Sequence, residues 1–425
     1  MAKIAALDEP SLEWARTRFA TYYRAEALSA PSRLNRREFA AFPFAANVLM
    51  RRHTALRSEE ELRGFLAQEV PRHVYYSSAY YRIPDAPTME KKEWLGADVI
   101  FDLDADHLKG ADKLAYAEQL DRVRDKVRDL FDDFLVGDFG LDPASMHLFF
   151  SGGRGYHVHV QDPTYLNLTS AERREIVDYI IGMGFDPASA VRESRGTSDT
   201  STIVGDPSDE APSAPRVPRA GGNRAFKALF PPDAPGWKGR LSRAVLLVLA
   251  HWRKEGVERA AADLTSAGVP HRGAVRLAKQ LIVEGYAERI QEGLSLDVFP
   301  REVRPELLDA VLRVATIEIQ GETDAPVTTD IHRLIRLPGS LHGGTGFRVA
   351  PVARDALERF DPLRDAVAKV WGTTTASVEL RESVDYPFDG QRVAGRSGDV
   401  AVLPTAQALF LILRGEAALR PGPGP

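Results

Sequence analysis

The stretch VIFDLDADH, Val99 to His107, places apolar and acidic residues in alternation from Phe101 onward. That period of two, together with the preference of Val, Ile and Phe for extended backbone, predicts a strand over Val99 to Leu103. Successive strand side chains point to opposite faces, so Val99, Phe101 and Leu103 turn toward the core and Asp102 and Asp104 share the other face. Two carboxylates at this spacing grip one or two hard divalent cations, or else form a pair of solvated acids at an edge. Asp106 would continue the face only if the strand did, and it is read as solvated.

Working outward, Ala111 to Leu135 carries Leu114, Leu120, Val123, Val127, Leu130, Phe131 and Phe134 at helical spacing, with Gly137 beyond the end. A hairpin-like unit follows: His147 to Phe150, the loop SGGRGY, then His157 to Val160. Thr169 and Glu172 make a capping box ahead of a helix through Ile176 and Ile180. From Arg192 to Arg224 the chain is rich in Pro, Gly and Ser and reads as a loop. Leu241 to Ala315 is helical in pattern, and strand-like segments return at Thr316 to Gln320 and Phe347 to Val352. An N-terminal helix fits Leu12 to Tyr23. Strands on both sides of a helical stretch predict an α/β (α+β) fold. Its core is drawn from residues 1–240 and 316–420, with a small all-α lobe inserted at 241–315 and a disordered tail at 421–425.

Composition narrows the chemistry. The chain has 425 residues, 44% hydrophobic and 27% charged, ample for a globular core. A formal net charge of −5 gives no global reason to bind nucleic acid, so any such contact must come from a local basic groove. The absence of cysteine excludes disulfides, thiolate zinc sites, iron–sulfur ligation and cysteine nucleophiles within the chain. MAKIAALDEP lacks an apolar signal core, and the run Ala406 to Leu413 is too short to cross a bilayer. A cytoplasmic location with no membrane partner is expected.

Two further segments carry candidate chemistry. In SGGRGYHVHV, Ser151 to Val160, Gly152, Gly153 and Gly155 let backbone amides face an anion. Ser151 and Arg154 add donors there, and His157 adds another. His159 reads as a satisfied sheet histidine. In DAPVTTDIHRLIRLPGSLHGGTGFRV, Asp324 to Val349, Ile331, Leu334 and Ile335 predict one apolar face of a short helix that Pro338 and Gly339 end. Arg336 and His342 are then positioned for a polyphosphate, while Arg333 is read as a surface ion-pair former. Asp330 stands where it would N-cap that helix, whereas Asp324 has no such local task, so either acid is a candidate third metal ligand. Carboxylates, a Gly-rich loop and a basic turn together suit metal-dependent nucleotidyl transfer, which is chiefly positioning and charge neutralisation.

With these motifs in order, the chain resembles the archaeal and eukaryotic primase small-subunit family. The resemblance rests on REF at Arg37 to Phe39, FDLDADH at Phe101 to His107, SGGRGYH at Ser151 to His157 and RLIRLPGSLHGGTG at Arg333 to Gly346. It extends to LILRGEA at Leu411 to Ala417. It implies an RRM-like mixed sheet and two-metal catalysis with Mg²⁺ or Mn²⁺ held by Asp102, Asp104 and Asp324. It further implies nucleotide phosphates bound by Ser151, Arg154, His157, Arg336 and His342, with Arg52 as an N-terminal basic contact. Many family members carry a cysteine-built zinc knuckle after the acidic strand. None can form here, so no structural zinc is expected.

The implied activity is DNA-dependent primer synthesis: joining nucleoside triphosphates de novo on a single-stranded DNA template to initiate replication. The implied partner is a primase large subunit, in a heterodimer. The alternatives are a primer-dependent gap-filling or repair polymerase of the same fold, a D-x-D glycosyltransferase, and a non-catalytic nucleotide-binding module. The glycosyltransferase reading leaves SGGRGYH and RLIRLPGSLH unexplained. Arg272, Arg276 and Lys279 in the helical lobe are either a template contact or a solvated helix face.

Overall fold

The period-two reading of Val99 to Leu103 holds, the strand running one residue further to Asp104: Phe101 and Leu103 are buried while Asp102 and Asp104 are half-exposed on the opposite face. The computed structural model describes residues 7–45, 49–107, 114–195, 225–296, 309–315 and 323–420. It divides into two units, Met1–Met183 with Gly321–Pro425, and Gly184–Gln320. Thr316 to Gln320, expected as a strand, and the tail at 421–425 lie outside the described residues. Among the described residues no helix is long and apolar enough to cross a membrane.

The first unit is mixed α/β. Its two four-stranded sheets use β1 (Glu38–Phe42), β2 (Arg51–Ala55), β3 (His73–Ser77), β4 (Val99–Asp104), β5 (Met146–Phe150), β6 (Gly155–Val160), β7 (Leu334–Arg336) and β8 (Pro351–Val352). Their orders are β7-β3-β1-β2 and β8-β5-β6-β4, with antiparallel pairing throughout. One core cluster joins Phe19, Tyr23, Phe39, Val74 and Tyr76 to Ile100 and Ile335. The Tyr76 hydroxyl lies 3.0 Å from His159 Nδ1 and links the sheets. That bond satisfies one nitrogen of His159, while its Nε2 is buried without a partner.

Three local expectations are corrected. Leu334–Arg336 is a strand, not a helix: it pairs with Tyr75–Ser77, and Ile335 alone of the three is buried, the alternation of an extended chain. The short helix of this region is Ala325–Thr329, upstream, with Asp324 at its N-cap position and Asp330 at its C-terminal boundary. The long amphipathic helix begins at Tyr116 and runs to Asp129, then widens into π-helical turns over Leu130–Asp138. Ala111 to Lys113 lie outside the described residues. Of Phe347 to Val352, only Pro351–Val352 forms a ladder strand.

The second unit carries the antiparallel pair Val191–Arg195 with Ala225–Leu229, so Arg192 to Arg195, expected as loop, are strand, and 196–224 lie outside the described residues. Helices Gly236–Glu255, Val257–Ser266, His271–Ile282 and Tyr286–Gly293 follow, and 309–315 are also helical. Leu241, Val245, Leu249, Trp252, Leu264, Leu277 and Leu281 form its core.

Candidate active site

The acidic strand and the Gly-rich hairpin are neighbours by register. Asp102 lies opposite His157 and Asp104 opposite Gly155, where a side chain on Gly155 would strike the Leu103 carbonyl. His157 Nε2 is 3.5 Å from an Asp102 oxygen. Burial, with the nearby Arg336 and Arg333 charges, lowers the His157 pKa to about 3, so the ring is neutral and not an ion-pair partner. Burial, reinforced by the Asp102 charge, raises the Asp104 carboxyl above its ordinary value, although the Asp106 amide and Arg154 pull the other way.

Inside the hairpin loop the expected direction of two amides is reversed. Gly153 N and Gly155 N donate to Ser151 Oγ at 3.3 and 3.2 Å, so they brace the loop instead of facing an anion. Gly152 takes a positive φ of 77°, and a side chain there would meet His342 Cβ. Arg154 pairs with Asp106, an acid that is exposed but engaged.

His342 closes the other side of the loop. Its Nδ1 takes the Gly344 amide at 3.2 Å and lies 3.2 Å from Thr345 Oγ1, and a side chain on Gly153 would come within 3.4 Å of its Nε2. Thr345 in turn donates to the Gly152 carbonyl and accepts from Phe347 N. Asp324 is brought to the acidic strand through the backbone, its N–H donating to the Asp102 carbonyl at 2.8 Å. Its carboxylate does not cap the helix it begins. Asp330 accepts from His332 N at 2.8 Å and is a turn-forming acid. Among the described residues no three acidic or imidazole groups stand close enough together to form a finished metal cage.

Around these groups lies positive charge without a counter-ion. Among the described residues Arg72, Arg333 and Arg336 have no acidic partner, and each keeps a buried guanidinium nitrogen without a hydrogen bond. Burial alone lowers Arg72 to about 10. Arg336 reaches across the face of Tyr75, 5.7 Å from the ring centre. Burial first, and the Arg336 charge second, push His73 and His342 well below the usual imidazole range. Guanidinium groups beside neutral rings, with no carboxylate to balance them, suit an anion with several charges.

The sequence comparisons bear on this arrangement. Residues 101–354 match the family model described as DNA primase small subunit. The chain is 38% identical to the DNA primase small subunit PriS of Methanothrix thermoacetophila, over 97% of this chain and 99% of that one. It is 36% identical to the same-named protein of Methanocella arvoryzae, over 98% and 100%. With that of Haloarcula marismortui the identity is 34%, over 97% and 99%. The chain belongs to the DNA primase small-subunit family.

Several residues of this primase-family site escaped sequence reading. Arg72 donates to the Gly343 carbonyl at 2.9 Å, and a side chain on Gly343 would strike Arg72 and His73. Tyr116 donates to the Gly153 carbonyl at 2.5 Å, and the Arg414 guanidinium lies 4.7 Å from its ring centre. The late LILRGEA motif therefore supports the Gly-rich loop from behind, with Glu416 fixing Arg414 at 2.7 Å. Arg52, which the resemblance offers as a basic nucleotide contact, forks onto Glu38 at 3.1 and 3.2 Å. Burial works against the Glu38 charge, but Arg52, His53 N and Lys92 hold its pKa below the ordinary value.

The buried rings give this primase-family chain a defined acid limit. His73, His157, His159 and His342 are all depressed, chiefly by burial. A depressed group binds its proton more readily in the unfolded chain, so its contribution to stability is present above the unfolded value and lost as pH falls. Urea unfolding should therefore give a midpoint that declines as pH drops from about 6.5 toward 3, the His157 window. His159→Gln should flatten that decline, and an unchanged slope would count against the buried-ring account.

Proposed function

We propose that the chain is the catalytic subunit of a DNA primase, joining nucleoside triphosphates on single-stranded DNA without a pre-existing 3′ end and releasing pyrophosphate. The observation that carries this reading is the uncompensated Arg72, Arg333 and Arg336 set beside His157 and His342, across from Asp102 and Asp104. Arg336 and Arg72 bind the triphosphate of the incoming nucleotide. Neutral His157 and His342 donate to its oxygens, and Arg154 exchanges Asp106 for phosphate. Ser151 holds the loop in shape, as its two amide contacts support.

The residues fit hard divalent cations, Mg²⁺ or Mn²⁺. The donors are carboxylate oxygens, and the burial and like charge that raise Asp104 would be relieved by a cation that Asp102 and Asp104 hold. Asp324, tied to Asp102 through the backbone, is the third ligand in preference to Asp330. Such ions, when bound, activate the attacking hydroxyl and neutralise the leaving pyrophosphate. A large primase subunit is the proposed partner.

The test is synthesis on unprimed single-stranded DNA with labelled nucleoside triphosphates, with and without the large subunit. Product formation is expected, together with its loss in Asp324→Ala and its retention in Asp330→Ala. Extension of an annealed primer with no de novo product would point to a repair polymerase instead. Arg336→Gln should raise the KM for nucleotide by roughly ten- to a hundredfold, the size of one lost charge-assisted hydrogen bond. Its thermal midpoint should not fall, because Arg336 has no acid to leave unpaired. A KM that stayed put would remove Arg336 from the phosphate site.

A further inference from the structure

The second unit contains a feature that the proposed nucleotidyl transfer does not use. Val257–Ser266 and His271–Ile282 are consecutive helices joined by Ala267, Gly268, Val269 and Pro270. Gly268 adopts a positive φ of 93°. Gly268 N donates to the Thr265 carbonyl and Val269 N to the Leu264 carbonyl, both at 3.0 Å. This is a Schellman termination, which stops the first helix and redirects the chain within one turn. Pro270 then accepts from Ala274 N at 2.9 Å and starts the second helix.

The facing sides of the pair are small and apolar. Ala260, Ala261 and Leu264 from the first helix and Ala274, Leu277, Ala278 and Leu281 from the second share one core cluster. Gly236–Glu255 supplies Leu249 and Trp252 to the same cluster, and Trp252 Nε1 donates to Asp263 at 2.9 Å. Three helices with a four-residue, glycine-containing turn between the last two have the connectivity and turn length of a helix–turn–helix unit.

What the second helix leaves outside is cationic. His271, Arg272, Arg276 and Lys279 are exposed, and the helix, HRGAVRLAKQLI, holds no acidic residue. Arg272, Arg276 and Lys279 follow one another at steps of four and three, so they share a face. Among the described residues Arg272 and Lys279 form no ion pair, and the nearby Asp263 is engaged by Trp252 and Arg259.

We propose that this helix–turn–helix docks on duplex nucleic acid, with the His271–Ile282 helix entering the major groove and Arg272, Arg276 and Lys279 meeting phosphates and base edges. The ligand class is a double helix, which a site that only tracks an unpaired template does not need.

The test is fluorescence anisotropy of a short labelled DNA duplex and of one of its single strands, against the full chain over a salt series. The Arg272→Gln/Lys279→Gln variant is compared with Arg253→Gln/Lys254→Gln, which removes the same charge from another helix of the same unit. All four positions are exposed, and thermal melting of each variant checks folding. The first variant should bind duplex about tenfold or more weakly and lower the salt slope by about 2, one for each lost phosphate contact. The second variant should match the wild type. Equal weakening by both variants would overturn the proposal by reducing it to diffuse attraction. Equal weakening on the single strand, or no duplex binding by the wild type, would also overturn it. Because the readout is binding, failure here leaves the catalytic reading untouched.

Discussion

Asp102→Asn and Asp104→Asn should each reduce primer synthesis by about a thousandfold or more while the chain stays folded. The size follows from the chemistry: metal stabilisation of the transition-state charge is worth several kcal/mol, and each 1.4 kcal/mol is a factor of ten. Asparagine keeps the shape of aspartate but offers one neutral carbonyl oxygen in place of a charged carboxylate, so the proposed cation grip is weakened while strand packing is kept. The stability effect should have the opposite sign. Burial and the neighbouring Asp102 charge raise the Asp104 pKa in the folded chain. A group raised in this way favours folding at low pH and loses that contribution as pH rises through its folded value. At neutral pH the folded protein therefore carries a charge it holds poorly, and Asp104→Asn should keep or raise the thermal midpoint. Sites that hold charge for function commonly trade stability in this manner. Activity and melting measured on the same preparations decide the matter. An Asp104→Asn protein that melts much lower would show the carboxylate to be structural, and one that still makes primers would remove it from the metal site.

The acidic strand and the Gly-rich hairpin were legible because strand alternation and a glycine loop are local signals. The register that sets Asp102 against His157 adds only the pairing. The basic turn was misread for an equally physical reason. Ile331, Leu334 and Ile335 match helical spacing, yet three residues of ladder with Tyr75–Ser77 outweigh the weak propensity of so short a segment. The Ser151 bonds that turn two glycine amides inward arise between residues two and four apart, and no composition rule reports which way an amide faces. Tyr116 and Thr345 reach the loop from 37 and 193 residues away, and Arg72 reaches the Gly343 carbonyl from 271 away; long-range contacts of that kind leave no periodic trace. The positive pocket itself was hidden by a net charge of −5, because the acids that offset it lie elsewhere on the chain.

Breaking the buried pair Arg37–Asp98 should be the costliest single change outside the chemistry, lowering stability by about 3–5 kcal/mol. Both side chains are fully buried and 2.7 Å apart. The Arg37 guanidinium also donates to the carbonyls of Ser32, Ser77 and Ser78 and to the Tyr80 hydroxyl, and Tyr80 donates to the other Asp98 oxygen at 2.6 Å. The Tyr80 ring stacks 4.2 Å from the guanidinium carbon. Asp98 immediately precedes the strand that carries Asp102 and Asp104, and its amide donates to the Ser78 carbonyl, so this joint fixes where the acidic strand starts. Arg173 adds bonds to the Ala97 and Asp98 carbonyls at 2.8 and 2.9 Å. Arg37→Met leaves a buried carboxylate without its cation, and Asp98→Asn leaves the guanidinium without its anion. Arg37→Lys supplies the charge but not the fork of donors, so it should recover only part of the loss. The Arg37→Met/Asp98→Leu double variant removes both charges together and should unfold later in urea than either single variant, the mark of coupling and not of two separate contacts. Losses that simply added would mean that Arg37 acts through its carbonyl bonds alone, and that the first motif of the chain is a backbone clamp without an electrostatic partner.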